Sequence, residues 1–311
     1  MKELLITTAI IEDLGKIQKV YLLSNWCNSI NMQKNLENKT VITIPYHWKS
    51  KDKFEKDYQY LNNIYEKNLK YLSNILGEFN KTSKDIKYWR IIIGPWLRQF
   101  SDIVFDRYSQ IKKATQKYDL YTNIIDTDKY DFISDNFNQF YLESKEDLWN
   151  HNLIGLIWKD LGLSYKTVPK EKEILKKKIF SIKFILKNFL NRFALFISKR
   201  DSYFFHNTNI PYSKIFNIYK RIRQIPLKTY EINEYNFSKN ILLRKRQEIK
   251  HSLSKNNEYE NILSKLISIY LPRIYLEDFQ INKSNILKIL PINPKKIFTT
   301  HAYLKDDLFK I

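Results

Sequence analysis

Aromatic and imidazole side chains follow two short apolar runs near the start of the chain. Trp26 comes after the first run, and Tyr46, His47 and Trp48 come after the second. If both runs are strands, these residues lie at the carboxyl ends of strands, where open α/β sheets bind ligands. The aromatic rings can stack on sugar rings, and His47 can act as an acid or base near neutral pH. In the alternative interpretation, both tryptophans pack in the core or at an edge and His47 is a hydrogen-bonded loop residue.

The segment Lys87–Leu97 is the most distinctive in the chain. The guanidinium of Arg90 can hold a phosphate or carboxylate through two parallel hydrogen bonds. Proline suits the first turn of a helix, so Pro95 predicts a helix start whose free backbone N–H groups would favour an anion. Trp96 offers a further ring for substrate binding. In the alternative, Arg90 pairs with a structural carboxylate.

Two carboxylates and a second guanidinium follow this segment. Asp102 and Asp106 are four residues apart, so a helix places both on one face, and Arg107 comes next. Paired carboxylates can supply a nucleophile or a general base, which makes both aspartates catalytic candidates. Arg107 is a candidate for binding an anionic part of the substrate. The alternative is a solvated helix face that is bridged to Arg98.

One further candidate lies close to the last residue, and the familiar catalytic motifs are absent from the sequence. His301 follows a predicted strand and is a candidate for a donor site, although an isolated histidine is also common in purely structural positions. The five glycines form neither a dinucleotide fingerprint nor a P-loop. The sequence has no His-x-x-x-His pair, no Cys/His cluster and no Gly-x-Ser-x-Gly elbow. We therefore expect no metal site and no cofactor.

The chain is strongly basic, with 53 Lys and Arg against 33 Asp and Glu and a formal net charge of +20. Such a charge favours nucleic acid, anionic lipid headgroups or phosphorylated donors, although a general enrichment in Lys, Ile and Asn also explains much of it. Hydrophobic residues make up 43% of the chain, which predicts a folded protein. Cys27 is the single cysteine, so no intramolecular disulfide can form and a reducing compartment is compatible.

Strands alternate with helices along the chain, which predicts a parallel, doubly wound α/β lobe. The predicted strands are Leu4–Ile10, Val20–Leu23, Val41–Ile44, Tyr121–Ile125, Tyr203–His206, Leu227–Ile232 and Lys296–Thr300. The predicted helices are Lys51–Phe79 with its end near Gly77, Gly94–Ala114, Lys145–Leu161, Lys170–Lys199, Tyr212–Arg223, Ser238–Ser252 and Glu258–Tyr270. The basic helix among them suits either a membrane surface or the core. Tyr303–Ile311 reads as the first turns of a helix without a stop, which predicts a truncated chain.

Neither a secretion signal nor a membrane span is predicted. The first residues include Glu3, Glu12 and Asp13, where a secretion signal has a basic start and an apolar run. The longest apolar-leaning stretch, Ile179–Ile197, contains charged residues and falls short of the roughly 20 apolar residues that a span needs. We therefore expect a cytoplasmic protein.

Several segments together resemble a bacterial family of transferases that are encoded in O-antigen and surface-carbohydrate gene clusters. The matching segments are Thr7-Thr8-Ala9, Asn25-Trp26-Cys27, Pro45-Tyr46-His47-Trp48, Asp57-Tyr58, the run Tyr88–Leu97, Asp106-Arg107-Tyr108, Lys296–His301 and Asp307–Lys310. The resemblance covers nearly the whole chain and is strongest over residues 1–125. It implies the Rossmann-like N-terminal lobe of a glycosyltransferase-B architecture with long helices. The expected domains are 1–165, a helix-rich continuation over 166–290, and the start of a truncated second lobe over 291–311.

The resemblance also implies an activity and partners. The expected reaction moves a sugar from a nucleotide-activated donor to a lipid-linked glycan such as O-antigen, a step of lipopolysaccharide biosynthesis, without a metal. The expected place is the cytoplasm, with peripheral contact to the anionic inner membrane. Two alternatives remain open: a basic nucleic-acid-binding module, for which no known motif is present, and a truncated fragment without catalytic activity.

Overall fold

In the computed structural model, the described residues are 2–10, 14–169, 203–224, 240–253, 255–287 and 294–311. The predicted helix Lys170–Lys199 and the predicted strand Leu227–Ile232 lie outside them. The chain forms two compact units, each assembled from separate segments. Unit 1 comprises Met1–Ser134, Gln139–Lys172 and Leu242–Pro272, and unit 2 comprises Asp135–Asn138, Glu173–Ile241 and Arg273–Ile311. The domain boundaries expected at 165 and 290 stay a prediction.

Unit 1 is built around a five-stranded sheet in which every neighbouring pair of strands is parallel. The strands are β1 (Glu3–Ile6), β2 (Lys19–Leu22), β3 (Thr40–Thr43), β4 (Leu120–Ile125) and β5 (Tyr165–Val168). Their order is β3-β2-β1-β4-β5, with Leu4 opposite both Val20 and Tyr121. This order matches the first five strands of a dinucleotide-binding doubly wound sheet. The predicted Rossmann-like α/β class is therefore confirmed.

The burial of each strand follows its place in the sheet. β1 and β2 are apolar over three successive residues, and those residues are buried. A parallel sheet is covered on both faces, so its central strands are continuously apolar rather than alternating. The edge strands β3 and β5 are mostly exposed and both contain threonine, and β5 also contains a lysine. The order in which strands are added to the sheet reverses between β1 and β4, which creates a crevice at their carboxyl ends.

The helices of unit 1 include two of about 30 residues. The helices in this part of the chain are α1 (Ile30–Leu36), α2 (Lys51–Phe79), α3 (Ile86–Lys117), α4 (Phe137–Glu143), α5 (Asp147–Asp160), α7 (Leu243–Ser252) and α8 (Glu258–Tyr270). α2 begins where its apolar spacing predicts and continues past the expected end near Gly77 to Phe79, and the Ser50 side chain caps it by accepting from the Lys53 backbone N–H. The sequence analysis did not predict α1, α4 or β5.

The predicted helix start at Pro95 is wrong, because α3 runs without interruption from Ile86 to Lys117. Asp85 caps this helix by accepting a hydrogen bond from the Tyr88 backbone N–H (3.0 Å). An internal proline disfavours a helix, but a continuous buried face offsets that cost here. That face comprises Trp89, Ile92, Ile93, Trp96 and Leu97, all fully buried. The backbone N–H groups near Pro95, which were expected to be free at a helix start, therefore lie in the interior of α3.

α2 and α3 pack against each other at close range. A Cβ atom at Gly94 would lie 2.8 Å from the Tyr65 hydroxyl, which is closer than such atoms approach in proteins. The glycine therefore lets the two helices approach. Further along α3, the Trp96 and Phe100 rings stack with centroids 5.1 Å apart and form part of the aromatic core.

Cys27 is enclosed in the core of unit 1. Its side chain is fully buried and its thiol donates to the Ile6 carbonyl (3.4 Å). Burial raises the pKa of this thiol to about 12.

We expect Cys27 to resist a thiol reagent such as Ellman's reagent in the native protein at pH 8, because only a solvent-accessible thiolate reacts. After denaturation in guanidinium, the same reagent should titrate one thiol per chain. Absorbance of the released chromophore measures both states. Complete modification of the native protein at the rate of a free thiol would contradict this expectation.

Unit 2 contains a two-stranded parallel sheet of β6 (Tyr203–Phe205) and β7 (Lys296–Phe298). Its helices are α6 (Tyr212–Arg221), α9 (Phe279–Ile286), α10 (Ala302–Lys305) and α11 (Asp307–Lys310). The predicted terminal helix is thus two short ones, since Asp306 caps the second by accepting from the Phe309 N–H (3.1 Å). α9 was not predicted.

A buried ion pair joins Asp307 and Lys310 in unit 2. The Asp307 carboxylate is fully buried and lies 2.5 Å from the Lys310 ammonium, whose side chain is 1% exposed. The same carboxylate accepts from the Tyr275 hydroxyl (2.9 Å) and the Phe137 backbone N–H (2.6 Å). The last residues of the sequence are therefore held by the fold of this unit.

Within the described ranges, every helix is too short or too polar to cross a bilayer.

Candidate functional site

The candidate site lies where β2 and β3 end, and a buried glutamine of α3 holds the two strand ends together. The Gln110 amide nitrogen donates to the Leu23 carbonyl (2.7 Å), and its amide oxygen accepts from the His47 backbone N–H (3.0 Å). Gln110 is fully buried. The sequence analysis missed this residue, although it lies four residues after Asp106 and hence on the same helix face.

His47 and Asp106 form the centre of the site. The imidazole Nε2 lies 3.0 Å from Asp106 Oδ1, and the histidine side chain is only 2% exposed. The Tyr46 hydroxyl donates to the same oxygen (2.5 Å), and the Arg107 guanidinium contacts the other oxygen. Four residues that the sequence selected as candidates thus meet at one carboxylate. Their roles in the reaction stay a prediction.

The contacts of Asp106 keep its carboxylate ionised. Burial by itself raises the pKa of this group, but the hydrogen bond from His47, the charge of Arg107 and the hydrogen bond from Tyr46 outweigh burial and lower it. Burial and the bond to Asp106 raise the pKa of Tyr46, which keeps its hydroxyl protonated.

The ionised carboxylate also determines which nitrogen of His47 holds the proton. A carboxylate only accepts hydrogen bonds, so Nε2 of a neutral His47 is the donor to Asp106 and Nδ1 is an acceptor. Within the described residues, His47 Nδ1 is buried and makes no hydrogen bond. The acceptor nitrogen of the imidazole is therefore available to a ligand that reaches it.

Arg107 connects this centre to the end of β1. Its guanidinium carbon lies 4.4 Å from the centroid of the Trp26 ring, a cation–π contact. Two of its nitrogens donate to the Asn150 amide oxygen (3.2 and 3.0 Å), and the Trp26 indole N–H donates to the Thr7 carbonyl (3.0 Å). The guanidinium is therefore held in a fixed position between the carboxylate and the indole.

Trp48 covers the imidazole. Its ring centroid lies 4.5 Å from that of His47 and 5.1 Å from that of Phe54. The indole N–H donates to Asp57 Oδ2 (2.8 Å). Trp48 is half-buried, so it forms part of the wall between His47 and solvent.

His151 lies at the crevice between β1 and β4, and the sequence analysis did not select it. Its Nδ1 lies 3.4 Å from the Thr7 hydroxyl oxygen and 3.5 Å from that of Thr8, while Nε2 accepts from the Ile125 backbone N–H (3.3 Å). Burial lowers the pKa of His151 from 6.5 to about 4. The imidazole is therefore neutral at pH 7 and acts as a donor to the threonines.

We expect His151 to make the protein less stable in acid. The unfolded chain takes up a proton on this residue near pH 6.5 and the folded chain only near pH 4, so the unfolded state binds more protons between these values. Stability is therefore present above pH 6.5 and falls on the order of 3 kcal/mol by pH 4. Urea unfolding of the wild type and of His151→Gln at pH 7 and pH 4.5 measures this loss of stability. The wild type should lose more stability between pH 7 and pH 4.5 than His151→Gln. The exposed-histidine control His251→Gln should behave as wild type. An equal loss in the wild type and in His151→Gln would refute the lowered pKa of His151.

Three other candidates of unit 1 lie outside this network. Arg90 forms a bidentate ion pair with the exposed Glu66 carboxylate (2.5 and 2.7 Å), and Trp96 is fully buried in the core. Asp102 accepts from Arg98 Nε (2.9 Å). Burial raises the pKa of Asp102 and the Arg98 charge opposes it.

His301 belongs to unit 2, where its Nε2 lies 3.4 Å from the Asn209 amide nitrogen. It is exposed at the carboxyl end of β7. Across the described ranges, no group of three or more histidine, cysteine, aspartate or glutamate side chains has the geometry of a metal site.

A family model described as LIC12162 family transferase matches residues 3–311. No curated protein and no solved structure matches the chain. The match covers both units and every candidate residue named above. The parallel sheet, the polar centre at its carboxyl edge and this match agree, and the chain belongs to the LIC12162 family of transferases.

Proposed function

We propose that this transferase moves a sugar from a nucleotide-activated donor to a hydroxyl group of a lipid-linked surface glycan such as O-antigen. One observation carries the proposal: the His47–Asp106 pair lies at the carboxyl edge of a parallel sheet, beside the Trp26 and Tyr46 rings. A histidine held by a carboxylate is a general base, and aromatic rings are suited to pack against sugar rings.

The proposed step begins when the acceptor hydroxyl transfers its proton to His47 Nδ1. The hydroxyl oxygen then forms a bond to the anomeric carbon of the donor sugar, and the bond from that carbon to the diphosphate breaks. The nucleoside diphosphate leaves with the electron pair of the broken bond. Asp106 stabilises the imidazolium that forms, as a triad aspartate does. Because Trp48 lies over the imidazole, the acceptor reaches Nδ1 only when that indole moves.

The remaining candidates have supporting roles in this proposal. Arg107 keeps Asp106 ionised and Trp26 in place, while Arg90 and His301 are proposed to contact anionic groups of the substrates. The positive charge of the chain suits an enzyme that works at the cytoplasmic face of an anionic inner membrane. We propose that the reaction needs no metal.

A donor panel tests the function. The protein is incubated with UDP-, GDP-, dTDP- and CMP-sugars and with a lipid extract of bacterial inner membrane, and release of free nucleotide is measured with and without EDTA. We expect release with one donor, dependent on the lipid extract and unaffected by EDTA. Absence of nucleotide release with every donor would contradict the proposed reaction, and loss of activity in EDTA would contradict its metal independence.

A further inference from the structure

Three lysines converge beside the β3–α2 loop of unit 1. Lys113 of α3 donates from its ammonium to the Tyr46 carbonyl (2.8 Å), which brings it against the loop that contains Lys49. Lys53 lies in the first turn of α2. Burial and the charges of Lys49 and Lys53 lower the pKa of Lys113, so both of those charges act on its ammonium group.

The charges of these lysines are only partly compensated. Asp57 contacts Lys53 and also accepts from the Trp48 indole N–H. Within the described residues, Lys49 and Lys113 have no carboxylate partner in hydrogen-bond range. Three positive charges against one negative charge leave an excess that an anion would relieve.

Exposed aromatic rings border the same place. Tyr46, Phe54 and Tyr58 are 39%, 46% and 49% exposed, and the Phe54 and Tyr58 rings stack with centroids 6.4 Å apart. The Tyr46 hydroxyl contacts Asp106, so this surface is continuous with the His47–Asp106 centre. A ligand with a negative group and an apolar or ring-shaped neighbour would use both the lysines and the rings.

We propose that Lys49, Lys53 and Lys113 form a binding site for a phosphate or diphosphate group of the substrate, with Tyr46, Phe54 and Tyr58 contacting the part of the substrate next to it. Convergent ammonium groups bind phosphate as point charges and need no fork-shaped geometry. The identification of that substrate as the glycan acceptor rests on the proposed function. The proposed binding of a phosphoryl group by the three lysines does not rest on that function.

Inorganic pyrophosphate is the probe, and isothermal titration calorimetry in low salt is the measurement. Because charge-assisted hydrogen bonds are the strong ones, we expect the variant Lys49→Gln/Lys113→Gln to bind pyrophosphate at least about tenfold more weakly than wild type. Lys49→Gln alone should weaken binding less and leaves the Lys113–Tyr46 bond in place. Lys70→Gln is the matched control. Lys70 is exposed on α2, the helix that contains Lys53, and lies about 25 Å from Lys53 along the helix axis.

Equal affinity in the double variant, or no pyrophosphate binding to the wild type, would overturn the site. A second arm uses vesicles of phosphatidylglycerol and phosphatidylcholine in a sedimentation assay. If the double variant loses vesicle binding while the wild type does not bind pyrophosphate, the patch is a bilayer contact and the proposal is wrong.

The outcomes separate this proposal from the proposed function. Pyrophosphate binding through these lysines, without nucleotide release from any donor, supports the phosphoryl site and contradicts the sugar transfer. If transfer does occur, the double variant should raise the KM for the lipid acceptor at least about tenfold with little change in kcat, as expected when uniform binding is lost. If the double variant catalyses transfer with unchanged KM and unchanged pyrophosphate affinity, the phosphoryl site is overturned and the proposed transferase activity is not contradicted.

Discussion

Asp106→Asn is expected to lower kcat for sugar transfer by about 10²- to 10⁴-fold. The amide has the shape of the carboxylate and its oxygen can still accept from His47 and Tyr46, but its NH2 group replaces the oxygen that Arg107 contacts. It has no negative charge, however, and cannot stabilise the imidazolium that forms on His47 in the proposed step. His47→Gln removes the base itself and should cost a similar factor.

The two substitutions should not be additive, because the residues act as one unit. The double variant is expected to be no slower than the slower single variant. Initial rates of nucleotide release measure this, with Asp119→Asn and His251→Gln as controls of the same chemistry at exposed positions. Unchanged kcat in both single variants, or fully additive losses, would remove His47 and Asp106 from the mechanism.

Arg246→Ala is expected to lower the free energy of unfolding by about 3–5 kcal/mol. The side chain is 1% exposed, and its guanidinium donates to the carbonyls of Ser268 (3.0 Å), Ile269 (3.1 Å) and Leu271 (3.0 Å). These carbonyls lie at the carboxyl end of α8, where helical partners are missing. Removing the guanidinium leaves them buried with fewer donors and removes a positive charge from the negative end of the helix dipole.

Arg244→Ala provides the matched control, because Arg244 lies on the same helix with its side chain 95% exposed and paired with Glu248. Surface ion pairs of this kind contribute little, so we expect almost no change. Urea denaturation followed by circular dichroism measures both variants. Arg246→Met, which keeps the apolar stem, should still be clearly destabilised, and equal stability of the variants at 244 and 246 would contradict the capping role.

The elements that follow from local signals were predictable. The bounds of α8 match the prediction and α2 begins where predicted, since apolar residues recur every three to four positions and Ser50 and Asn257 cap the first turns. Strands β1 and β2 were found because parallel strands are short apolar runs. β5 was missed, since an exposed edge strand with lysine and threonine has no such run.

Where local and tertiary preferences conflict, the tertiary structure decides. Pro95 is a strong local signal for a helix start, yet the buried face of α3 continues through it. The terminal helix is divided because Asp306 accepts from the Phe309 N–H and so caps a new helix within the predicted one. The apolar spacing alone predicts neither the continuation of α3 through Pro95 nor the division of the terminal helix.

The sequence by itself determined the α/β class, the transferase family resemblance and the residue types of the site. It placed Trp26, Tyr46 and His47 after strands and Asp106 on a helix, because those positions depend on local patterns. Only the tertiary structure decided that Tyr46, His47 and Arg107 meet at the Asp106 carboxylate and that Trp96 lies in the core instead. It also added Gln110, whose partner His47 is 63 residues away in the chain. Contacts across such separations depend on how helices pack on the sheet, which no local periodicity encodes.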